Sequence, residues 1–562
     1  MSNSEDLLTL QPFQPGIPTG FASPADIKNA YDRARLICQR HGLTLQDILT
    51  LSPNFWNFHL DTIHAVANNC LVLLTTHLNL CVGTLGTYLK DRPDLAPLID
   101  KLLKFEINGQ YLLTEVGWGV DADELKTTAT LQPDGTFDLH TPYQRAAKFM
   151  SPNTLDAGMP RGGIVFARLI VEGEDRGVRP FWVLLHDSEK MEEGVISYAL
   201  PKRAGTQATD HAVTLFNHKR LPKDSLLGTL DKPADPVAHF TSIVARASIG
   251  TLSLSTVNVP CLKLSTYIAA KYSQRRTITG PNGRTQLPIL AYRTQQRPIL
   301  HALAQSLVWA AAAQRTTATF SSPDTPLALR SALAIAFKTA IQAQTQSTLT
   351  VLAERCGAQG LYEHNAIMSC QNLMRGNSLA EGDVVVIAIR LVTDLLLHRD
   401  HPLPPLAFPD APLAQLAKGL LEEAREVFDA LPESGGGARD VTDAAFNARV
   451  LPLCKSVAEA VGWSVAYDAA RSAGVAEDVL AVFEAGCVGQ VESWFVENLG
   501  WKRREVARRE EEALSALYER FDELVEGLGV EAYARVPLIT EEAWEAFVER
   551  LPRFGGEGVG DE

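Results

Sequence analysis

Apolar residues in the first 110 positions recur at the spacing of amphipathic helices, without the strict alternation of a half-buried strand. Ser23-Pro24 precedes one such stretch, which begins at Asp26, and Leu60–Tyr88 is a dense run of apolar residues. Ser followed by Pro is a helix-start signal, because the fixed φ of proline suits the first helical turn. Residues 1–110 are therefore predicted to form an N-terminal α-helical domain.

The pattern changes at Tyr111, after which short runs rich in β-branched and aromatic residues alternate with turn residues. Thr127–His140 contains two such runs on either side of Pro133-Asp134-Gly135, which predicts a β-hairpin. Further strands are predicted at Ile164–Val171, Pro180–Leu185 and His211–Phe216, with a turn at Glu172–Gly177 between the first two. Residues 111–228 are therefore predicted to form a β domain.

Helical spacing returns after Gly228 and continues almost to the end of the chain. The long stretches with few helix breakers are Phe240–Tyr272, Pro298–Ala313, Pro326–Arg355 and Gly382–Leu397. Pro402–Pro412 predicts a linker, and Ser434–Ala438 predicts a flexible hinge within a last helical region, residues 413–552. Since 562 residues are too many for a single core, the chain is predicted to be an α+β protein of four domains: 1–110, 111–228, 229–400 and 401–562.

The negative charge is confined to the last of these domains. Residues 411–562 carry 30 acidic and 15 basic residues, whereas the whole chain has a net charge of −14, so the first 410 residues are close to neutral. No basic tract is present, which argues against a nucleic-acid-binding protein. The charge distribution therefore indicates an acidic helical appendix, most simply one with a solvated surface. It does not argue against anionic ligands in the first 410 residues.

Several other classes of protein do not fit the sequence. No apolar run reaches the length of a membrane span, and the acidic, polar N-terminus is unlike a secretory signal. The eight cysteines are scattered without a Cys-x-x-Cys pair, which predicts neither disulfides nor a metal site. An intracellular protein is expected, cytoplasmic or peroxisomal, although Gly560-Asp561-Glu562 is not a peroxisomal targeting tripeptide.

The segment with the most chemical information is Leu113–Ala129, which begins Leu113-Thr114-Glu115-Val116-Gly117-Trp118-Gly119. A threonine hydroxyl and the backbone amides of a glycine-rich turn can bond the edge of a flat heterocycle, and glycines allow close approach of the main chain. Taken alone, the same residues fit a polar turn that leads into the hairpin.

Four later segments give this turn a context. They are Lys148–Ser151, Pro201–Leu227, Tyr272–Gln296 and Cys356–Asp383. With Leu113–Ala129 they resemble, in the same order, five motifs of the acyl-CoA oxidases and the related acyl-CoA dehydrogenases. The resemblance implies an N-terminal helical domain, a central β-barrel or sandwich, a four-helix-bundle domain and, as in the oxidases, a second C-terminal helical domain.

The resemblance also implies an activity. In that family, FAD accepts a hydride from the β-carbon of an acyl thioester at flavin N5 while a glutamate removes the α-proton, and in oxidases O₂ then reoxidises the flavin and gives H₂O₂. Glu381, in Glu381-Gly382-Asp383, matches the catalytic base. Without the resemblance, Glu381 would fit an ordinary acidic residue at a helix N-terminus.

The remaining residues implied by the resemblance concern ligands and assembly. Arg246 matches a substrate-binding arginine, although a lone arginine in an apolar helix could instead make a structural pair. Arg276 matches an arginine that reaches the FAD pyrophosphate across a dimer interface, so a homodimer is expected. The matched FAD-binding residues are Thr114, Gly117, Gly119, Ser151, Arg276, Gln296, Gly357 and Gly360. Gly357 and Gly360 would also fit a simple turn between helices.

Departures from the family pattern leave the chemistry open. Phe149-Met150 replace tryptophans, and Ser151-Pro152-Asn153 replace the Pro-Gly-Gly of oxidases, so oxidase and dehydrogenase both remain. Thr279, Ala358 and Val384 also differ from the residues of the family pattern at their positions. Besides an acyl-CoA oxidase, the alternatives are a dehydrogenase with a protein acceptor, a divergent flavoenzyme for a non-CoA or carrier-bound substrate, and a non-catalytic scaffold.

Overall fold

The computed structural model describes residues 20–203, 205–281, 283–432 and 441–554. Two compact units divide them: residues 20–36 with Lys104–Pro236, and Ile37–Leu103 with the described residues from Val237 onward. The hinge predicted at Ser434–Ala438 lies outside the described residues, and the division into four domains stays a prediction.

The first unit is built on β-strands. Their bounds are β1 Asn108–Leu112, β2 Thr128–Leu131, β3 Phe137–His140, β4 Lys148–Pro152, β5 Arg161–Val171, β6 Glu174–His186, β7 Val195–Ala199, β8 His211–Phe216 and β9 Lys219–Leu221. Six of them form a sheet in the order β1-β5-β2-β3-β9, with β6 paired to β5, and a second sheet has the order β4-β8-β7. The hairpin predicted at Thr127–His140 is present as β2 and β3, and β8 has the predicted bounds.

The core of this unit consists of alternate side chains from both sheets. Val165, Phe181, Val195 and Phe216 are all buried in it. Beside the core, Arg161 donates from Nη1 to Asp210 Oδ2 (2.8 Å). The ion pair is fully buried and carries a third partner, since Tyr31 Oη donates to Asp210 Oδ1 (2.8 Å).

The other elements are helices and one small hairpin. The helices are α1 Pro24–His41, α2 Leu45–Thr50, α3 Pro53–Leu60, α4 Ile63–Val66, α5 Asn68–Thr75, α6 Gly83–Tyr88, α7 Ala96–Leu103, α8 Pro236–Ile243, α9 Ala245–Thr256, α10 Asn258–Arg275, α11 Arg293–Ser321, α12 Leu327–Arg355, α13 Ile367–Leu379, α14 Val384–Leu397, α15 Pro412–Asp429, α16 Ala444–Arg449, α17 Leu451–Ser472, α18 Glu477–Gln490, α19 Glu492–Asn498, α20 Arg503–Tyr518, α21 Phe521–Glu526 and α22 Glu541–Val548. The hairpin pairs β10 Thr277–Thr279 with β11 Gln286–Pro288. The predicted fold class, with N-terminal helices, a central sheet domain and C-terminal helices, is confirmed.

A π-helical segment, Thr76–Val82, joins α5 to α6 into one continuous helix, Asn68–Tyr88. By length and hydropathy this helix could span a membrane, but 83% of its most apolar window is buried inside the protein. The core helix of a soluble protein passes the same test, so the helix is weak evidence for a membrane span.

The structure differs from the predicted elements in several places. The single helix predicted over Phe240–Tyr272 is divided into α8, α9 and α10, and Pro260 is one cause, because its ring excludes a helical hydrogen bond to Thr256. The turn predicted at Glu172–Gly177 is shorter, since β6 already begins at Glu174. Six strands of three to five residues were not predicted: β1, β4, β7, β9, β10 and β11.

Candidate functional site

Glu381 lies in the short connection between α13 and α14, and its backbone has an unusual conformation. Its φ is +54°, in the left-handed region, and the next residue, Gly382, has φ +104°. Asp383 then begins α14 as its N-cap, accepting hydrogen bonds from the backbone N–H groups of Val385 and Val386. A non-glycine residue in this region is strained, and such strain persists only where the surroundings hold it. The acidic residue that suits the helix N-terminus is therefore Asp383, which leaves Glu381 for another role.

The carboxyl group of Glu381 is directed at the backbone of α9. A Cβ built on Gly250 would lie 0.9 Å from Glu381 Oε2 and 2.1 Å from Cδ, so the carboxyl group occupies the space that any side chain at Gly250 would need. Oε2 is buried and has no hydrogen-bond partner among the described residues. Burial raises the pKa of Glu381 to about 8, against the opposing charges of Lys338 and Arg246. This is the environment of a carboxylate that can take up a proton near neutral pH.

Lys338 holds the same connection from α12. Its side chain is fully buried, and Nζ donates to Ala380 O and Gly382 O, both at 2.6 Å. Thr251 Oγ1 on α9 donates to Glu381 O (2.6 Å). The three carbonyl groups around Glu381 therefore each have a side-chain donor. Sequence reasoning missed Lys338 and Gly250; the available signal was a lone lysine at an apolar position of a predicted helix.

Arg246 is buried and binds the π-helical segment. Its Nε and Nη2 donate to Asn79 O (3.0 Å) and Asn79 Oδ1 (2.6 Å), and Nη1 donates to Ile48 O (3.2 Å). A Cβ on Gly83 would lie 2.4 Å from Nε, so the guanidinium group also packs closely against α6. These contacts give Arg246 a structural role. The substrate-binding role that was expected for Arg246 stays a prediction. Its charge still acts on Glu381.

In the other unit, a buried ion pair shapes the Thr114–Gly119 turn. Lys148 Nζ donates to Glu115 Oε1 at 3.0 Å, with both side chains fully buried. Glu115 Oε1 also accepts from Thr127 N (3.0 Å) and Thr127 Oγ1 (2.7 Å). Burial lowers the pKa of Lys148. Glu115 thus ties the turn to the hairpin and to β4, which sequence reasoning did not foresee.

The predicted FAD-binding residues of this unit differ in how strongly the fold itself requires them. A Cβ on Gly117 would lie 3.1 Å from Arg145 O, so close packing already favours glycine there, whereas nothing lies within 4 Å of a Cβ on Gly119. Ser151 lies in an irregular stretch of β4, and its Oγ donates to Tyr111 O (2.9 Å). The preceding Met150 has φ +70°, again the left-handed region. Thr114 is half-buried, and its carbonyl accepts from Phe149 N (3.0 Å).

The other predicted FAD-binding residues belong to the helical unit. Arg276 follows α10, is exposed, and has no hydrogen bond or ion pair from its side chain among the described residues. It lies close enough to Tyr272 to act on its pKa, and Tyr272 Oη is 3.9 Å from a Cβ built on Gly357.

Gly357, Gly360 and Gln296 each have a structural role as well. Gly357 has φ +62° just after α12, as is common at a helix end. A Cβ on Gly360 would lie 2.0 Å from Ala353 O, and Gln296 Nε2 donates to Leu290 O (2.8 Å). Their contacts with a cofactor stay predictions.

Known proteins are similar to this chain both in sequence and in fold. Residues 252–396, which run from α9 to the end of α14 and contain Glu381, match the family model described as "Acyl-CoA oxidase, C-alpha1 domain". This chain is therefore similar in sequence to the acyl-CoA oxidases. Human peroxisomal acyl-coenzyme A oxidase 3 is 32% identical over 220 residues, 37% of this chain and 31% of that protein. Peroxisomal acyl-coenzyme A oxidase 2 of Arabidopsis thaliana is 27% identical over 321 residues, 53% of this chain and 46% of that protein.

The similarity to solved acyl-CoA oxidase structures extends over almost the whole chain. Acyl-CoA oxidase 1 of Yarrowia lipolytica superposes with a TM-score of 0.76 at 16% identity, covering 96% of this chain and 92% of that one. Acyl-CoA oxidase-1 of Caenorhabditis elegans, crystallised with FAD and ATP, gives a TM-score of 0.70 at 18% identity, covering 94% and 92%. At these identities the likeness shows the fold. The sequence matches span about a third to a half of the curated oxidases, so activity is a separate question.

Proposed function

We propose that this chain is a flavoenzyme that removes hydrogen from the α and β carbons of an acyl thioester, with Glu381 as the base. The observation that carries the proposal is the Glu381 carboxyl group, buried, with Oε2 unpaired and its pKa raised to about 8. A structural carboxylate is normally hydrogen-bonded or paired where it is buried. Acyl-CoA is the first substrate to test, because the relatives are acyl-CoA oxidases.

Glu381 has two properties that suit proton abstraction from carbon. Burial destabilises the charged carboxylate, so uptake of the substrate α-proton, which neutralises it, is favoured. Lys338 and Arg246 act in the opposite direction and keep part of the population ionised. Since the ionised form is the base, the rate of proton abstraction should rise with pH through about 8.

Features within each unit fit FAD. In the Thr114–Gly119 turn, Trp118 Nε1 is a buried donor without a hydrogen-bond partner in the described chain, and Gly119 leaves open space beside it. In the helical unit, Gln359 Oε1 is a buried unpaired acceptor, and Arg276 is an exposed cation suited to a phosphate. With Thr114, Gly117, Ser151, Gln296, Gly357 and Gly360, these residues would hold the cofactor. FAD when bound would supply the two-electron acceptor for the substrate hydride.

The electron acceptor, assembly and location belong to the same proposal. Molecular oxygen is the acceptor proposed, giving H₂O₂, and a homodimer is the assembly proposed, because Arg276 matches an arginine that reaches FAD across a subunit interface. An intracellular location, cytoplasmic or peroxisomal, is consistent with relatives named as peroxisomal enzymes. Acyl-CoA oxidase-2 of Caenorhabditis elegans was crystallised with FAD, ascaroside-CoA and ATP, so an ascaroside-CoA is a further substrate to test.

The test is anaerobic bleaching of the flavin. The purified protein, loaded with FAD, is mixed in a stopped-flow instrument with CoA thioesters of several chain lengths, and with pantetheine thioesters to detect a carrier-type substrate. Glu381→Gln should still bind FAD but bleach at least about a hundredfold more slowly, the scale of a lost general base. Air is then admitted and H₂O₂ is measured, which separates an oxidase from a dehydrogenase.

Glu484→Gln provides the matched control. Glu484 on α18 is another largely buried glutamate whose pKa burial raises, and it is not near the Glu381 connection in the sequence. This variant should bleach at the wild-type rate. An unchanged rate in Glu381→Gln would exclude Glu381 as the base, and a wild-type protein that binds no flavin would exclude the whole proposal in favour of a scaffold.

A further inference from the structure

Lys338 is a fully buried lysine whose ammonium group binds backbone carbonyl groups. No hydrogen bond or ion pair joins its Nζ to an acidic side chain among the described residues; its acceptors are the carbonyl oxygens of Ala380 and Gly382, both at 2.6 Å. A buried ammonium group that is not hydrogen-bonded to a counter-ion is unfavourable, so its position calls for an explanation. The two carbonyl groups flank Glu381, the residue with φ +54°.

The contacts explain how a strained glutamate can be held in place. A left-handed backbone is unfavourable for a residue with a Cβ and turns back to an ordinary region unless its neighbours prevent it. Lys338 from α12 binds the carbonyl groups before and after Glu381, and Thr251 from α9 binds the carbonyl group of Glu381 itself. Hydrogen bonds from a charged donor are stronger than those between neutral groups, so the two from Lys338 should dominate.

We propose, building on the function proposed above, that Lys338 is a positioning residue for the base. Its ammonium group holds the Ala380–Gly382 connection so that the Glu381 carboxyl group lies against Gly250, and its positive charge favours the ionised, proton-accepting form of that carboxyl group. Lys338 acts through Glu381 and does not itself exchange a proton with substrate.

The charge effect has a defined direction. The groups that act on Glu381 are Lys338 from α12 and Arg246 from α9, and both lower its pKa against the larger effect of burial. Burial lowers the pKa of Lys338 to about 8. The negative charges of Glu381 and Asp383 oppose that lowering. Removing the charge of Lys338 should therefore raise the pKa of Glu381. The pH at which bleaching reaches half its maximal rate should rise with it.

Three variants test this in the FAD-loaded protein. Lys338→Met should move the midpoint of the plot of bleaching rate against pH upward by about one pH unit. Below the midpoint, the rate should therefore be about tenfold lower than that of the wild type, with KM little changed. Lys338→Arg keeps the charge and the N–H donors and should keep the wild-type midpoint. Lys263→Met is the matched control, because Lys263 is also a largely buried lysine of the helical unit, on α10, and it should leave the profile unchanged.

A second measurement does not depend on turnover. Infrared difference spectroscopy can follow the carbonyl stretch of the protonated Glu381 side chain, identified by its loss in Glu381→Gln, as the pH is changed without substrate. Lys338→Met should titrate about one pH unit above the wild type. If Lys338→Met does not fold, Lys338→Gln, which is neutral but keeps an N–H donor, carries the same expectation.

The outcomes separate the two proposals. A wild type that never bleaches, with the infrared shift present in Lys338→Met, would remove the proposed function and leave the positioning role of Lys338. A wild type that bleaches normally, with the same midpoint in Lys338→Met as in Lys263→Met, would overturn the role of Lys338 alone. An equal loss in Lys338→Arg and Lys338→Met would also overturn it, because charge would then be irrelevant.

Discussion

Replacement of Gly250 by alanine places a methyl group where the Glu381 carboxyl group lies. In the present structure the new Cβ would be 0.9 Å from Oε2, 2.1 Å from Cδ and 2.8 Å from Oε1. Ordinary contacts between carbon and non-bonded atoms are about 3.5 Å, so Oε2 would have to move by more than about 2 Å. Helix α9 should not move instead, since every residue from Gly250 to Thr256 is buried.

The displacement should separate activity from stability. A misplacement of about 1 Å in a reacting group can reduce the rate about a hundredfold, so Gly250→Ala should bleach flavin at least that much more slowly. Within a helix, alanine is favoured over glycine by about 1 kcal/mol, which offsets part of the disturbance at Glu381. We therefore expect a folded protein with a free energy of unfolding near the wild-type value and almost no proton abstraction.

Stopped-flow bleaching with an acyl-CoA, together with urea unfolding, measures both quantities on the same sample. Gly489→Ala is the matched control, since Gly489 lies in helix α18 and nothing lies within 4 Å of a Cβ built there. That variant should keep the wild-type rate. Gly250→Ala with a wild-type bleaching rate would refute the reasoning, because the carboxyl group would then function from a position that this structure does not contain.

Two further predictions concern stability. Lys148→Met leaves the buried Glu115 carboxylate without its cation, so it should lower the free energy of unfolding, measured by urea titration, by about 3–5 kcal/mol. The double variant Lys148→Met/Glu115→Gln should lose less stability. An equal loss in the double variant would contradict the ion-pair explanation. Burial lowers the pKa of His59 to about 3 and that of His64 to about 4, so the unfolded chain takes up protons that the folded chain does not, and stability falls as pH decreases from about 6.5 toward 4. His64→Gln should reduce this loss by about 2 kcal/mol at pH 5, whereas an unchanged pH dependence of urea unfolding would show that His64 is not responsible.

The sequence was informative wherever the determining contacts are local. The Thr127–His140 hairpin depends on a turn and two adjacent runs of residues, and its strands are where they were expected. Helices α11, α12 and α14 follow from apolar spacing over single stretches. The position of Glu381 came from the order of five short motifs, each of which can be read without knowing its neighbours in space.

Other features depend on residues far apart in the chain. Arg246 binds Asn79, which is 167 residues away, and these contacts give the arginine a structural role that its helix alone did not reveal. Glu115 and Lys148 form a buried pair that no spacing rule predicts. Each of these partners is an ordinary polar residue in the sequence, and only the fold shows that it is buried and paired.

The sequence by itself determined the succession of helices and strands, the resemblance to acyl-CoA oxidases and the candidate base. The tertiary structure decided what surrounds that base: Gly250 against its carboxyl group, Lys338 and Thr251 on its connection, and the left-handed backbone that they hold. The physical reason is that the proton affinity of a carboxylate depends on burial and on charges a few ångströms away. These come from α9 and α12, which are separate from Glu381 in the chain and meet it only after folding.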